Sequence, residues 1–380
     1  MQVRERCILG RFRIKLAEPI IDREMRRAVL DVLSGERMVL GESVFKFEEE
    51  FARFCGCDFA IGVASGTAAI QLALMTAGLA RGFRCLTSAA SFIATANCII
   101  LAQGKPLFVD ISLGDYCIDP YKVNHITKKS SAILPVHLYG HPADMRSICE
   151  TARRRNLVVI EDACQAHGAS IDGRKVGSWG DFGCFSFYPS KNMTVGGDGG
   201  IITTNNKRAA EKIRRFRDAG RRSKYVHDII GYSFRLNTVN AAIGRVQLKK
   251  LNVWNEIRRK IAYHYHKRLA SVPQVIHPPL GTATVRPSHH LYVIRTSSRD
   301  KLKHWLERSG IECGVHYPLP IHLQPAYRSH PQNSRGQLVN TESLCRSCLS
   351  LPIHPSLTGD DVDYVVNRIQ DFFRARGDRA

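Results

Sequence analysis

Long apolar runs are missing from this 380-residue chain. No stretch approaches the ~20 consecutive apolar residues that a membrane-spanning helix needs, so none is expected. The first residues, MQVRERCILGRFRIKLAEP, are charged early and lack a continuous apolar core. They do not read as a signal peptide, and a cytoplasmic location is expected. Internal repeats and low-complexity tracts are also absent, which leaves an ordinary globular chain. Acidic residues are scarce beside basic ones, 34 against 55, for a net charge of +21. Such a balance suits nucleic acid or a phosphate-bearing substrate. However, no helix-turn-helix, zinc-finger or RNA-binding signature is present. The basic residues are also spread out, at 153–155, Arg214–Arg217, Arg221–Lys224 and Arg258–Lys260. Most fall on predicted helices, and solvated helix faces are the preferred reading.

Twelve cysteines are scattered rather than patterned. Free thiols in a reducing compartment are expected. The spacings Cys55-x-Cys57 and Cys345-x-x-Cys348 lack a second pair to complete a metal set. The latter pair is expected to pack on one helix face. No metal site is read from the sequence.

What is present is a 44% hydrophobic chain, long enough for a large core and a second, smaller one. Residues 22–34 have helical periodicity, with Asp22 as N-cap and Gly35 at the stop. A second helix over 43–54 has Ser43 as its expected cap and Gly56 as its end. From residue 59, short apolar strands alternate with helices through 204: strands at 59–65, 83–88, 105–111, 131–140, 157–163, 182–189 and 199–205, helices at 67–79, 92–104 and 145–156. This alternation predicts an α/β fold with a mostly parallel sheet between helices. A proline-free helical stretch runs from Thr238 to Ala270. The domain boundary is placed within it, giving a large domain over 1–250 and a small α+β domain over 251–380.

Three segments carry chemistry. In VVIEDACQAHGA (158–169) an aliphatic strand delivers Asp162 to a strand's carboxyl end, where ligands of such sheets sit. A carboxylate there can keep a pyridine nitrogen protonated and make pyridoxal phosphate an electron sink. Alone, it reads equally as a helix-capping acid. In FSFYPSKNMTVGGDGGIITTN (185–205), Lys191 follows a buried strand and precedes a glycine-rich turn. Burial lowers a lysine's pKa, as Schiff-base chemistry requires. An exposed loop lysine is the plainer alternative, disfavoured by the aromatic run before it. In ASGTAAIQLAL (64–74) a Ser-Gly-Thr turn opens a helix, and helix N-termini bind phosphate. Simple capping by Ser65 or Thr67 is the rival.

Together these segments resemble the DegT/DnrJ/EryC1/StrS family, sugar aminotransferases of pyridoxal-phosphate fold type I. The resemblance also runs through residues 35–74, SFIATANCIILAQGKPLFVDI (91–111), LPVHLYGHPADM (134–145), GYSFRLNTVNAAIGRVQLKKL (231–251), HHLYVIR (289–295), GVHYPLPIHLQPAY (314–327) and LPIHP (351–355). It covers nearly the whole chain in order. It implies that Lys191 is the Schiff-base lysine and proton shuttle, and that Asp162 pairs with the pyridine nitrogen. Gln165 is implied beside the cofactor's phenolic oxygen, and Phe92 stacked on its ring. Gly66, Thr67 and Ser186 are implied around the phosphate. The resemblance further implies a homodimer in which residues 231–237 reach the partner's cofactor phosphate. Many members carry asparagine where this chain has Ser233, so Ser233, Arg235 and Asn237 are all candidates for that contact. Tyr317, His322 and Gln324 are candidate substrate contacts, and His316 and His322 read alternatively as structural histidines beside Pro318 and Pro320.

The implied reaction transfers an amino group from an amino acid, by family habit glutamate, to a nucleotide-linked keto-sugar. Dehydratases of this fold replace the lysine with histidine, which the presence of Lys191 argues against. A keto-cyclitol acceptor is the alternative within transamination. A basic nucleic-acid-binding protein is the alternative from another class. Arg295 is the candidate for the donor's carboxylate.

Overall fold

A computed structural model describes residues 12–126, 130–332, 334 and 336–377. The N-terminal stretch read above for targeting therefore lies, through residue 11, outside the described residues. Two helices come first, α1 (Arg23–Gly35) and α2 (Glu42–Cys55). Asp22 caps α1 by accepting from the Met25 amide at 3.0 Å. Ser43 does not cap α2. Gly41 holds that position, and the Ser43 hydroxyl donates to Glu36 at 2.7 Å instead. Gly56 ends α2 in the left-handed region, φ 76°, which glycine adopts without a Cβ penalty.

Strand and helix then alternate: β1 (Phe59–Val63), α3 (Gly66–Thr76), β2 (Arg84–Ser88), α4 (Ala94–Leu101), β3 (Lys105–Val109), α5 (Pro120–Ile126), β4 (Ala132–Leu134), α6 (Met145–Arg155) and β5 (Val158–Asp162). Short strands β6 (Ser170–Ile171) and β7 (Arg174–Lys175) precede β8 (Phe182–Ser186) and β9 (Gly200–Thr204). Next come α7 (Lys207–Arg217), an exposed hairpin of β10 (Arg221–Ser223) and β11 (Val226–His227), and α8 (Thr238–Leu269). The remainder holds β12 (Val285–Arg286), β13 (Tyr292–Arg295), α9 (Arg299–Arg308), α10 (Val339–Ser347), β14 (Cys348–Leu351) and α11 (Gly359–Gly377).

The large sheet has seven strands in the order β1-β9-β8-β5-β4-β2-β3. It is parallel except for β9, which runs against both neighbours. Its strands are buried nearly throughout, as expected when helices cover both faces. A separate core gathers Tyr265, Tyr292, Leu302, Leu349 and Val365 around the antiparallel pair β13–β14. Ile14 belongs to this second core and bridges Ile311. That segment, counted above with the large domain, packs on the smaller one. The boundary placed near residue 250 falls inside α8, one unbroken helix that packs on α1 and α2 and also on α11. Two expectations change. Cys345 lies on α10 but Cys348 begins β14, so the two do not share a helix face. Arg217 and Arg258 are buried rather than solvated. The described cysteines are all free thiols. Among the described residues, no helix is long and apolar enough to cross a membrane.

Candidate active site

Successive side chains of a strand face opposite sides, and at the end of β5 this separates two adjacent acids. Glu161 is fully buried and accepts from the amides of Gly177, Trp179 and Gly180 at 2.7–2.8 Å, with His137 Nε2 at 3.0 Å. It holds a loop. Asp162 turns the other way. Its Oδ2 accepts from the Thr95 hydroxyl at 2.7 Å and its Oδ1 from the Cys164 amide at 3.2 Å. Thr95 is tied in turn to the Ser91 hydroxyl at 2.7 Å. Asp162 is 4% exposed and has no ion pair among the described residues. A buried carboxylate held by neutral donors has capacity left for a cationic partner.

Lys191 lies in the turn after β8, where its amide donates to the Tyr188 carbonyl at 2.8 Å. The residue keeps some exposed surface, yet its amine lies deep among packed atoms. Burial lowers its pKa below the usual lysine range, with the Cys164 thiol and the Asp162 carboxylate pulling the other way. Among the described residues its side chain makes no hydrogen bond or ion pair. Three histidines stand around it, each held neutral by burial first and by the lysine's charge next. His316 is pushed down to about 4, His167 to about 3, and His290 well below the usual range.

The start of α3 closes another side. Ser65 caps it by accepting from the Ala68 amide at 3.1 Å. The Gly66 and Thr67 amides are among those a helix start leaves without intrahelical partners. A Cβ on Gly66 would lie 2.7 Å from Ser186 Cβ and 2.8 Å from Cys164 Sγ. Only glycine lets this helix start press against the strand carrying Ser186 and against Cys164, two residues after Asp162. Gln165 spans two further groups: Oε1 accepts from the Tyr139 amide at 2.8 Å, and Nε2 donates to the Tyr317 hydroxyl at 3.1 Å. The Phe92 ring, 54% exposed, lies 6.1 Å from that of Tyr317.

These residues fit pyridoxal phosphate. Asp162 is an ionic partner without a cation, Lys191 is an amine that burial makes easier to deprotonate, and Gly66 lets a helix start with free amides close on Ser186 and Cys164. Other expected residues make contacts of their own. His322 is fully buried, with its ring 6.3 Å from that of Phe108 and its Nε2 3.5 Å from Glu342. It has no surface to offer a substrate, which corrects the expectation for it. Gln324 donates to the Leu319 carbonyl at 3.3 Å. Ser233 and Asn237 are exposed. Ser233 accepts from Arg235 at 2.8 Å, and Asn237 caps α8 by accepting from the Asn240 amide at 2.8 Å. Arg295 stacks over the Tyr116 ring at 5.7 Å. Thr95, Tyr139, His167 and His290 were not read as site residues. Nothing in their local sequence marks them, because each acts through a contact made only on folding.

Residues 19–370 match the model of the DegT/DnrJ/EryC1/StrS aminotransferase family. The chain is 41% identical to the "pleiotropic regulatory protein" of Geobacillus stearothermophilus, covering 92% of this chain and 95% of that one. It is 38% identical to dTDP-3-amino-3,4,6-trideoxy-alpha-D-glucose transaminase of Streptomyces venezuelae, over 94% of each. Among solved structures, DesV of S. venezuelae superposes with a TM-score of 0.89 at 39% identity, covering 92% of this chain and 94% of that one. NtdA of Bacillus subtilis, solved with bound cofactor PMP, gives 0.82 at 30% identity, covering 94% of this chain and 88% of that one.

Proposed function

Because the chain belongs to the DegT/DnrJ/EryC1/StrS aminotransferase family and is thus a pyridoxal-phosphate enzyme, we propose that it moves an amino group from glutamate to a nucleotide-linked keto-sugar. The observation that carries this reading is the meeting of Lys191, Asp162 and the Gly66 helix start in one buried place. Pyridoxal phosphate, when bound, supplies an aldehyde that reacts with amines and a ring that accepts electrons. The chain's own residues do the rest. Lys191 would hold the cofactor and, in each half of the reaction, carry a proton between the substrate carbon that bears nitrogen and the cofactor carbon, which its lowered pKa favours. Asp162 holds the ring nitrogen protonated, and Thr95 keeps that carboxylate aimed. Gln165 faces the phenolic oxygen, and Phe92 covers the ring. The Gly66 and Thr67 amides, with Ser186, take the phosphate.

In this reading the site is completed by a second copy of the chain. Ser233 and Asn237, exposed in the single chain, supply the cross-subunit contact. Tyr317, fixed by Gln165, and Gln324 face the sugar. The names of relatives support the substrate class: besides the transaminase above, they include a GDP-perosamine synthase.

The test is the visible spectrum of the purified protein with pyridoxal phosphate, before and after glutamate, beside Lys191→Ala. The expected result is a lysine-dependent band that bleaches with glutamate. Mass spectrometry with nucleotide keto-sugars and keto-cyclitols then identifies the acceptor. A wild-type protein with no such band would overturn the cofactor role of Lys191. Amination of cyclitols alone would overturn the substrate class.

A further inference from the structure

Away from the lysine, three side chains of different chemistry meet beside the edge strand of the large sheet. Asp115 and Cys117 lie in the loop after β3, and His141 follows the turn after β4. One carboxylate oxygen, the thiol sulfur and one ring nitrogen all lie within 4.8 Å of one another. We propose that Asp115, Cys117 and His141 bind a divalent cation of the zinc class, which joins the loop after β3 to the turn after β4.

The donor set argues for that class. Thiolate and imidazole select zinc-like ions, whereas magnesium and calcium prefer sites made of oxygen alone. A tetrahedral ion bound at about 2.0–2.3 Å sets its donors roughly 3.3–3.8 Å apart. The three groups therefore need to close by only about 1 Å, within reach of side-chain rotation. Three protein ligands leave a fourth position for water.

The surroundings prepare His141 and Asp115. His141 Nδ1 lies 2.9 Å from the Pro142 carbonyl. A carbonyl only accepts, so Nδ1 carries the hydrogen and the Nε2 lone pair stays available. Metal-binding histidines are commonly oriented by such a bond. The Cys117 thiol donates to the His141 carbonyl at 3.5 Å and lies 3.6 Å from the Asp115 carbonyl, so binding the ion displaces its proton. The Asp115 carboxylate accepts from the Cys117 amide at 3.0 Å, which fixes the two ligands to one another. The loop itself is closed by a bridge between Ile111 and Ile118 and by the Ser112–Cys117 backbone bond of 2.9 Å.

Charge gives a second reason. Asp115 has no lysine or arginine partner among the described residues, so a bound cation would give its carboxylate the counter-charge that these residues do not. Packing accounts for a buried Cys117, but not for a carboxyl and an imidazole converging on its sulfur. The sequence hides the site because His141 lies 24 positions beyond Cys117. Its consequence is local order: the turn before His141 contains Tyr139, whose amide holds Gln165.

The experiment reads metal rather than transamination, so it stands apart from the substrate assignment. The holoenzyme is incubated with zinc chloride, desalted and assayed for zinc, beside Cys117→Ser and His141→Gln. The expected result is about one retained zinc per chain in the wild type, mostly lost in both variants. Zinc raises the thermal midpoint only in the wild type. Cobalt(II) gives thiolate-to-metal absorption that Cys117→Ser removes. Asp115→Asn, nearly isosteric, serves where Cys117→Ser does not fold. A wild type that retains no more zinc than the variants overturns the proposal. So does zinc retained equally by all of them, which would place it on other cysteines.

Discussion

Asp162 and Glu161 are neighbours of one charge and opposite employment. The peptide amides of Gly177, Trp179 and Gly180 saturate Glu161, so it has nothing left to give a ligand. Asp162 receives only the Thr95 hydroxyl and one amide. Asp162→Asn keeps the shape and removes the charge facing the ring nitrogen. It should lower kcat by ~10²–10³-fold, the scale of losing one preorganised electrostatic contact. Thr95→Val should cost less, about 10-fold, because the charge stays and only a hydrogen bond to it goes. Steady-state kinetics with cofactor affinity measured in parallel check both. An Asp162→Asn enzyme at wild-type kcat would remove the carboxylate from the mechanism. The site was legible where chemistry and local sequence coincide. Lys191 precedes a glycine-rich turn, Asp162 ends an aliphatic run, and Gly66 opens a helix. It was illegible where a residue's role depends on what folding brings near. Thr95 is an ordinary helix residue until Asp162, 67 positions on, arrives beside it. His322, beside two prolines, looked like a ligand group and proved to be packed against Glu342.

At the scale of elements, α2, β1 and α7 are joined through one buried ion pair. Arg217, near the end of α7, donates to Glu48 on α2 and to the Gly62 carbonyl on β1, and Glu48 also accepts from the Gly62 amide at 2.9 Å. Both side chains are about 95% or more buried. Breaking such a pair from one side strands the other charge, at ~3–5 kcal/mol. Glu48→Gln should therefore lower the thermal midpoint by several degrees. Glu48→Leu combined with Arg217→Met should recover only part of that loss, since an apolar pair leaves no buried charge but strands the Gly62 amide and carbonyl. Calorimetry of the three proteins decides it, and an unchanged midpoint in Glu48→Gln would show the pair to be dispensable. The elements themselves were readable because parallel strands buried on both faces are short apolar runs, and the helices between them show caps such as Asp22 and Gly56. Their ends were less readable. The run 131–140 yields a strand only at Ala132–Leu134, then a 3-10 turn, because Tyr139 adopts φ 57° to bring its amide to Gln165.

For the whole molecule, the surplus of basic residues has a consequence for acid stability. His137 and His322 face acids, but three other buried histidines face cations. His167 is pushed down to about 3 by burial, then by Lys191 and Arg258. His289 falls to about 3 through burial, His141, Arg259 and Arg258. His316 falls to about 4 through burial and Lys191. Arg258 strengthens the effect on His167 and His289, since among the described residues only carbonyl oxygens accept from its guanidinium. Below the ordinary histidine value of 6.5, the unfolded chain takes up protons that the folded chain refuses. Stability therefore rises with pH across this window. It is complete above 6.5 and is lost as pH falls toward 4, by up to ~1.4 kcal/mol per pH unit for each histidine. The thermal midpoint should hold between pH 8 and 7, then drop steeply from 6.5 to 4 at constant ionic strength. His289→Gln, which cannot take the proton in either state, should flatten that slope by about one proton's share. A midpoint level down to pH 4 would mean that these imidazoles charge freely in the folded protein, against the burial that surrounds them.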